Sequence, residues 1–140
     1  VIFFRDIKSI IQNISEKKTQ RFLLFLFTKN SSSQKIFNLV GDWEGENKSY
    51  SLEKGSRSWK KKITIFEQNE RIFKGNFKYA DGETNFIGVI RSNNKSFYWV
   101  SAESKGYING EILNKKTIEV CYVEAYKNAA VGCAILKREK

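Results

Sequence analysis

The sequence predicts an all-β protein: an antiparallel, eight-stranded, up-and-down barrel with a short helical N-terminal arm. Three observations carry that expectation. Past residue 36 the 140-residue chain breaks into short segments rich in β-branched and aromatic residues. All but one of the connections between them are tight, and they carry Asn, Asp or Gly, which tolerate positive φ. Glycines recur inside the segments, at Gly45, Gly75, Gly88, Gly110 and Gly132, as a sharply curved sheet requires.

The arm and its linker comprise residues 1–37. Phe3, Ile7, Ile10, Ile11 and Ile14 recur at helical spacing and predict a short amphipathic helix over 2–14. Arg21 then leads into the apolar block Phe22-Leu23-Leu24-Phe25-Leu26-Phe27, and 28–35 is polar and serine-rich, as a linker would be. Lys17, Lys18 and Arg21 before an apolar block have the order of a secretory signal. The block is only six residues long, however, and no small-x-small cleavage site follows. A cytoplasmic placement is therefore expected, with secretion as the alternative if the segment is a degenerate signal.

The barrel is expected over 38–140. Its strands are 38–46, 61–68, 72–79, 84–91, 96–101, 106–112, 117–125 and 130–138. Tight turns make consecutive strands antiparallel neighbours. A meander of that length leaves exposed edges unless it closes, and closure at eight strands gives an interior filled by side chains or holding one small ligand. A sandwich would need longer crossovers. Alternation fits a sheet with two distinct faces: Phe73, Gly75, Phe77 and Tyr79 share one side of the third segment, and Ile118, Val120 and Tyr122 one side of the seventh. The single long connection expected is 47–60.

Composition narrows the chemistry. There is no histidine, which excludes a histidine-dependent triad, a zincin motif and histidine-ligated haem or iron. Two cysteines are too few for a four-thiolate metal site, and no run of 18 apolar residues is present to span a membrane as a helix. No metal or cofactor is expected. Net charge is +10, and residues 1–39 carry half of it, with seven basic and two acidic side chains. Such charge can attract nucleic acid, anionic lipid or an acidic protein. It equally fits compositional drift towards residues with A- and T-rich codons.

Gly41-Asp42-Trp43 opens the first strand, and Leu136-Lys137-Arg138 ends the last. In this the chain resembles the lipocalins and their calycin relatives, avidin-like barrels included, over roughly residues 38–138. The resemblance implies that Trp43 seals one end of the barrel and that Arg138 packs over the indole, with Gly41 as a further structural position. A cation over an aromatic face, with its alkyl stem covering the ring, is the physical basis. The resemblance implies no particular ligand.

Four groups of residues could carry chemistry. Asp42, Glu44 and Glu46 alternate along one face, and with Trp43 inward they point to water. Arg57, Lys60, Lys61 and Lys62, with Lys54, surround Trp59 in and beside the long connection. They form a candidate anion site, or a solvated loop over the barrel mouth. Cys121 and Cys133 fall opposite each other on the last two strands; without a secretory signal, free thiols are expected. Phe77, Tyr79, Trp99, Tyr107, Tyr122 and Glu124 are the candidate ligand-binding set, in either a hollow or a filled barrel. The function expected is non-enzymatic binding of a small, mostly apolar molecule inside the barrel. The alternatives are a filled barrel that docks an acidic protein or polyanion through its basic loop or arm, and an isomerase- or cyclase-type enzyme.

Overall fold

A computed structural model describes residues 35–79 and 82–140. The helix expected over 2–14, the apolar block 22–27 and nearly all of the serine-rich linker lie outside those residues, as does the Ala80-Asp81 turn. The described chain forms eight strands: β1 (Gly41–Ser51), β2 (Gly55–Asn69), β3 (Ile72–Tyr79), β4 (Gly82–Ile90), β5 (Ser96–Ser101), β6 (Tyr107–Asn114), β7 (Thr117–Glu124) and β8 (Ala130–Arg138). Each pairs antiparallel with the next, and β1 pairs with β8, so the barrel is closed. Closure satisfies the backbone of both would-be edge strands.

The first two strands differ from expectation. β1 starts three residues later and runs five further, and β2 starts at Gly55. The long connection does not exist. β1 and β2 form one hairpin whose register runs from Gly41↔Ile65 to Ser51↔Gly55. Lys54 N donates to Ser51 Oγ (3.0 Å) in the turn, and Gly55 follows with φ 65°, a value that suits glycine. Leu52 N reaches across to Ala129 O (3.1 Å), which ties this turn to the start of β8.

One half of the interior is solidly apolar. Trp43, Ile63, Ile65, Phe73, Phe86, Ile90, Phe97, Trp99, Ile118, Val120 and Leu136 are all buried. Phe73 meets Phe97 edge-on at 5.7 Å between centroids, and Trp99 stacks on Phe86 at 4.5 Å. Three inward glycines make room for these rings. Gly75 pairs with Phe86, Gly88 with Phe73 and Gly110 with Phe97. A Cβ on Gly88 would lie 2.2 Å from Phe73 Cζ, and one on Gly110 2.0 Å from Phe97 Cε2. Each ring thus lies across the strand-glycine opposite it.

The segment before β1 closes this half from below. Leu39 is fully buried, and Gln68 fixes the segment by accepting from Leu39 N (2.8 Å) and donating to Phe37 O (2.9 Å). Trp43, 1% exposed, donates its indole N–H to Leu39 O (2.9 Å). Arg138, its register partner on β8, stands 4.3 Å from the indole centroid. The Arg138 guanidinium donates to Val40 O (2.7 Å) and Asn38 O (2.6 Å). Gly41 lies beneath it, 3.5 Å from Arg138 Nη1 to where a Cβ would stand.

The outer face carries two findings. Cys121 and Cys133 are register partners and form a disulfide there, which corrects the expectation of free thiols. Pairing in register brings the two Cα atoms to 4.1 Å with both side chains on one face, and that proximity decides the outcome. Ile87, Val100, Tyr107, Val123 and Val131 also stand in one register row across β4 to β8, all of them exposed.

Candidate ligand-binding site

The other half of the barrel is lined differently by the same strands. Inward positions there are Asn47, Ser49 and Ser51 of β1, Trp59 and Lys61 of β2, Phe77 of β3, Ser101 of β5, and Tyr122 of β7. They enclose a cavity of about 280 Å³ that opens at the mouth. Trp99 and Ile108 form its floor against the apolar half. Across the rim, the turns after β5 and β7 border a second, more polar hollow shared with Phe77, Ser101 and Tyr122.

Lys61 dominates the electrostatics. It is expected at the start of the second strand, among the cations of a candidate anion site; its position on β2 turns it inward, and it is 5% exposed. Its ammonium lies between two aromatic rings, 5.7 Å from the Trp59 centroid and 5.8 Å from that of Phe77. No carboxylate pairs with it among the described residues. Burial alone pushes its pKa down from 10.5 to about 8. Two neutral polar groups line the same space. Asn47 is 3% exposed and pairs in register with Trp59, and the buried Ser101 Oγ has no hydrogen-bond partner among the described residues.

The other cations of the expected anion site separate from it. Lys60 and Lys62 project outward and both hold Glu44, Lys62 at 2.6 Å, with Glu139 3.9 Å beyond Lys62. Hydrogen bonds from Lys60 and then Lys62 take the Glu44 carboxyl down to about 2, and Glu44 raises Lys62 in return. Asp42 and Glu46 also point outward, accepting from Thr64 Oγ1 (2.6 Å) and Ser58 Oγ (2.5 Å). Only Arg57, exposed at the mouth, borders the cavity together with Lys61.

The aromatic set divides in the same way. Phe77, Trp99 and Tyr122 line the cavity. Tyr107 borders it, but its side chain is 46% exposed and its ring meets Tyr98 edge-on at 6.3 Å outside the barrel. One-residue parity explains this: Gly106 and Ile108 take the inward positions on either side. Tyr79 pairs its backbone with Gly82, and its side chain lies outside the described structure. Glu124 sits at the rim rather than deep inside, and it accepts from Tyr122 Oη. Ser104 Oγ lies 2.9 Å from the same phenol. Burial, and then the Glu124 carboxylate, raise the Tyr122 pKa and keep the phenol neutral.

Trp59, Asn47 and Ser101 are cavity residues absent from the expected ligand set. Trp59 and Asn47 fall within the segment read as loop. Their signal was alternation: Asn47, Ser49 and Ser51 continue the parity of Trp43, as Trp59 and Lys61 continue that of Ile63. Because these inward residues are mostly polar, alternation of hydrophobicity does not display them.

No protein-family model matches the chain, and no curated protein matches its sequence. A solved structure described as a redesigned β-barrel is similar at 8% identity, covering 73% of this chain and 92% of that one, with a TM-score of 0.48.

Proposed function

We propose that this protein binds a small, mostly apolar molecule, without catalysis, in the open half of its barrel. The observation that carries the reading is the 280 Å³ cavity walled by Trp59, Phe77, Trp99, Ile108 and Tyr122. That volume lies near the lower bound of small-molecule sites, roughly 300–1,000 Å³, and the lining of aromatic rings with a few polar groups is typical of them. Arg138 over Trp43, with Gly41 beside the guanidinium, parallels the closed end of calycin barrels and supports the same reading. The exposed Cys121–Cys133 disulfide supports an oxidising compartment rather than the cytoplasm.

Titration with the neutral fluorophore N-phenyl-1-naphthylamine tests the reading. Saturable binding at one site per chain is expected, with quenching of Trp59 and Trp99 at the cavity. Ser101→Phe should fill the space and abolish binding while circular dichroism stays unchanged. Unsaturable binding, or full binding by a folded Ser101→Phe protein, would refute it.

A further inference from the structure

We propose that the ligand is a compact aromatic acid whose carboxylate pairs with Lys61, while Asn47 and Ser101 supply neutral hydrogen bonds. The inference rests on the reading of the cavity as a ligand site and adds the chemical class that the site would take.

The argument begins with an imbalance. A buried ammonium ordinarily has a carboxylate partner and hydrogen bonds that satisfy its three donors. Lys61 has two ring faces and no anion among the described residues. Aromatic faces attract a cation but accept no conventional hydrogen bond, so its donors stay available. Ser101 Oγ adds a buried hydroxyl without a hydrogen-bond partner among the described residues, and the buried Asn47 stands on the wall of the same cavity. A carboxylate matches this set, because it can accept from Lys61, the Asn47 amide and the Ser101 hydroxyl. A cationic ligand would meet Lys61 and, at the mouth, Arg57.

Size and walls specify the rest of the molecule. The volume of about 280 Å³ suits a compact molecule. Phe73, Phe97, Ile118 and Val120 fill the barrel below it, which leaves no channel towards the closed end, and the hollow that shares its rim is the more polar of the two. Trp59, Phe77, Trp99 and Tyr122 offer ring faces and edges to a ring of one or two cycles.

Calorimetry with 2-naphthoate and its neutral isostere 2-naphthamide tests the idea, with laurate as a long-chain acid. The expected result is naphthoate binding at least about tenfold tighter than the amide, with laurate weaker than naphthoate. Lys61→Met should abolish the preference for naphthoate while retaining the amide and the neutral fluorophore. A pH series on the unaltered protein is independent of how the variant folds. Affinity for naphthoate should fall up to about tenfold per unit above pH 8, as free Lys61 loses its proton, while affinity for the amide stays flat. The other titratable groups bordering the cavity are Arg57, Tyr50, Tyr107 and Tyr122, with Glu124 engaged by Tyr122. Equal binding of acid and amide overturns the inference and leaves the cavity reading standing. So does tighter binding of laurate, or a preference that survives in Lys61→Met. Failure of both naphthalenes and the neutral fluorophore to bind overturns both.

Discussion

The two ends of this barrel are built on the same eight strands and are lined in opposite ways. At the closed end, inward positions of β1, β2 and β8 hold Trp43, Ile63, Ile65 and Leu136, all buried and apolar. At the open end, the same strands present Asn47, Ser49, Lys61 and Gly132. The Trp43 indole N–H is satisfied at the closed end, where only Arg138 Nε lacks a partner among the described residues, whereas at the open end both Lys61 and Ser101 Oγ lack one. The contrast teaches that stability and recognition can be divided along one strand. Packing at one end holds the sheet closed, so the other can keep desolvated polar groups that weaken the fold, and under the proposed function these are the groups that meet the ligand.

Two tryptophans break or sharpen that division most strongly. Trp43→Ala removes a fully packed indole with its hydrogen bond and its cation, and should destabilise the protein by about 3–5 kcal/mol in urea unfolding. Trp59→Ala removes a half-buried ring beside a cavity that is already open, and should cost about 1 kcal/mol or less. Equal losses would mean that the open end is as much a structural core as the closed one.

Lys61 should act with the opposite sign. Its folded-state value of about 8 lies below the ordinary 10.5, so between those values the unfolded chain binds more protons and stability rises with pH. Lys61→Met should therefore be more stable at pH 7, by an amount on the order of 2–3 kcal/mol. It should also lack the rise between pH 8 and 10.5. Chemical denaturation of both proteins across that range measures the difference. A destabilised variant would show that Lys61 is a structural element rather than a strained one.

The sequence displays the closed end far better than the open one, for a physical reason. The third and seventh strands alternate visibly because their inward residues are apolar, Phe73 and Phe77 in one and Ile118 and Val120 in the other. In β1 beyond Glu46 and β2 before Lys61 both faces are largely polar, so period two leaves no trace in hydropathy and a hairpin reads as a loop. Lys61 is hidden for the same reason, since a lysine beside Lys60 and Lys62 looks solvated. Tyr107 errs in the other direction: strand membership was legible, but parity was not fixed until Gly106 and Ile108 were seen to face inward. The facing of Cys121 and Cys133 is legible from the short turn between β7 and β8; their oxidation is not, because the expectation of free thiols rests on compartment rather than on geometry.

Glycine under a ring gives a finer comparison. Gly88→Ala places a methyl 2.2 Å from Phe73 Cζ, and the Phe73 ring is itself packed against Phe97 and Trp99. The expected loss is about 1–3 kcal/mol, from overpacking. Ser49→Ala on the cavity wall should change stability by no more than about 0.5 kcal/mol. Thermal midpoints of the two variants, compared side by side, report whether rigidity is confined to the closed half.

The smallest effect separates the two contributions of Arg138. Its stem and guanidinium cover the Trp43 indole, and its two terminal nitrogens tie Val40 O and Asn38 O, the backbone that leads into β1. Arg138→Lys keeps a cation and an alkyl stem over the ring but cannot fork to two carbonyls. A loss of about 1 kcal/mol is expected, with faster amide exchange confined to residues 36–40 and the start of β1. Arg138→Met removes both the charge and the fork while retaining an apolar cover, and should lose more than the lysine variant. If lysine and methionine prove equal, the cation contributes nothing over the indole, and the segment before β1 is held by the fork and by Gln68. If lysine matches arginine, the fork is dispensable and the ring contact alone closes the barrel.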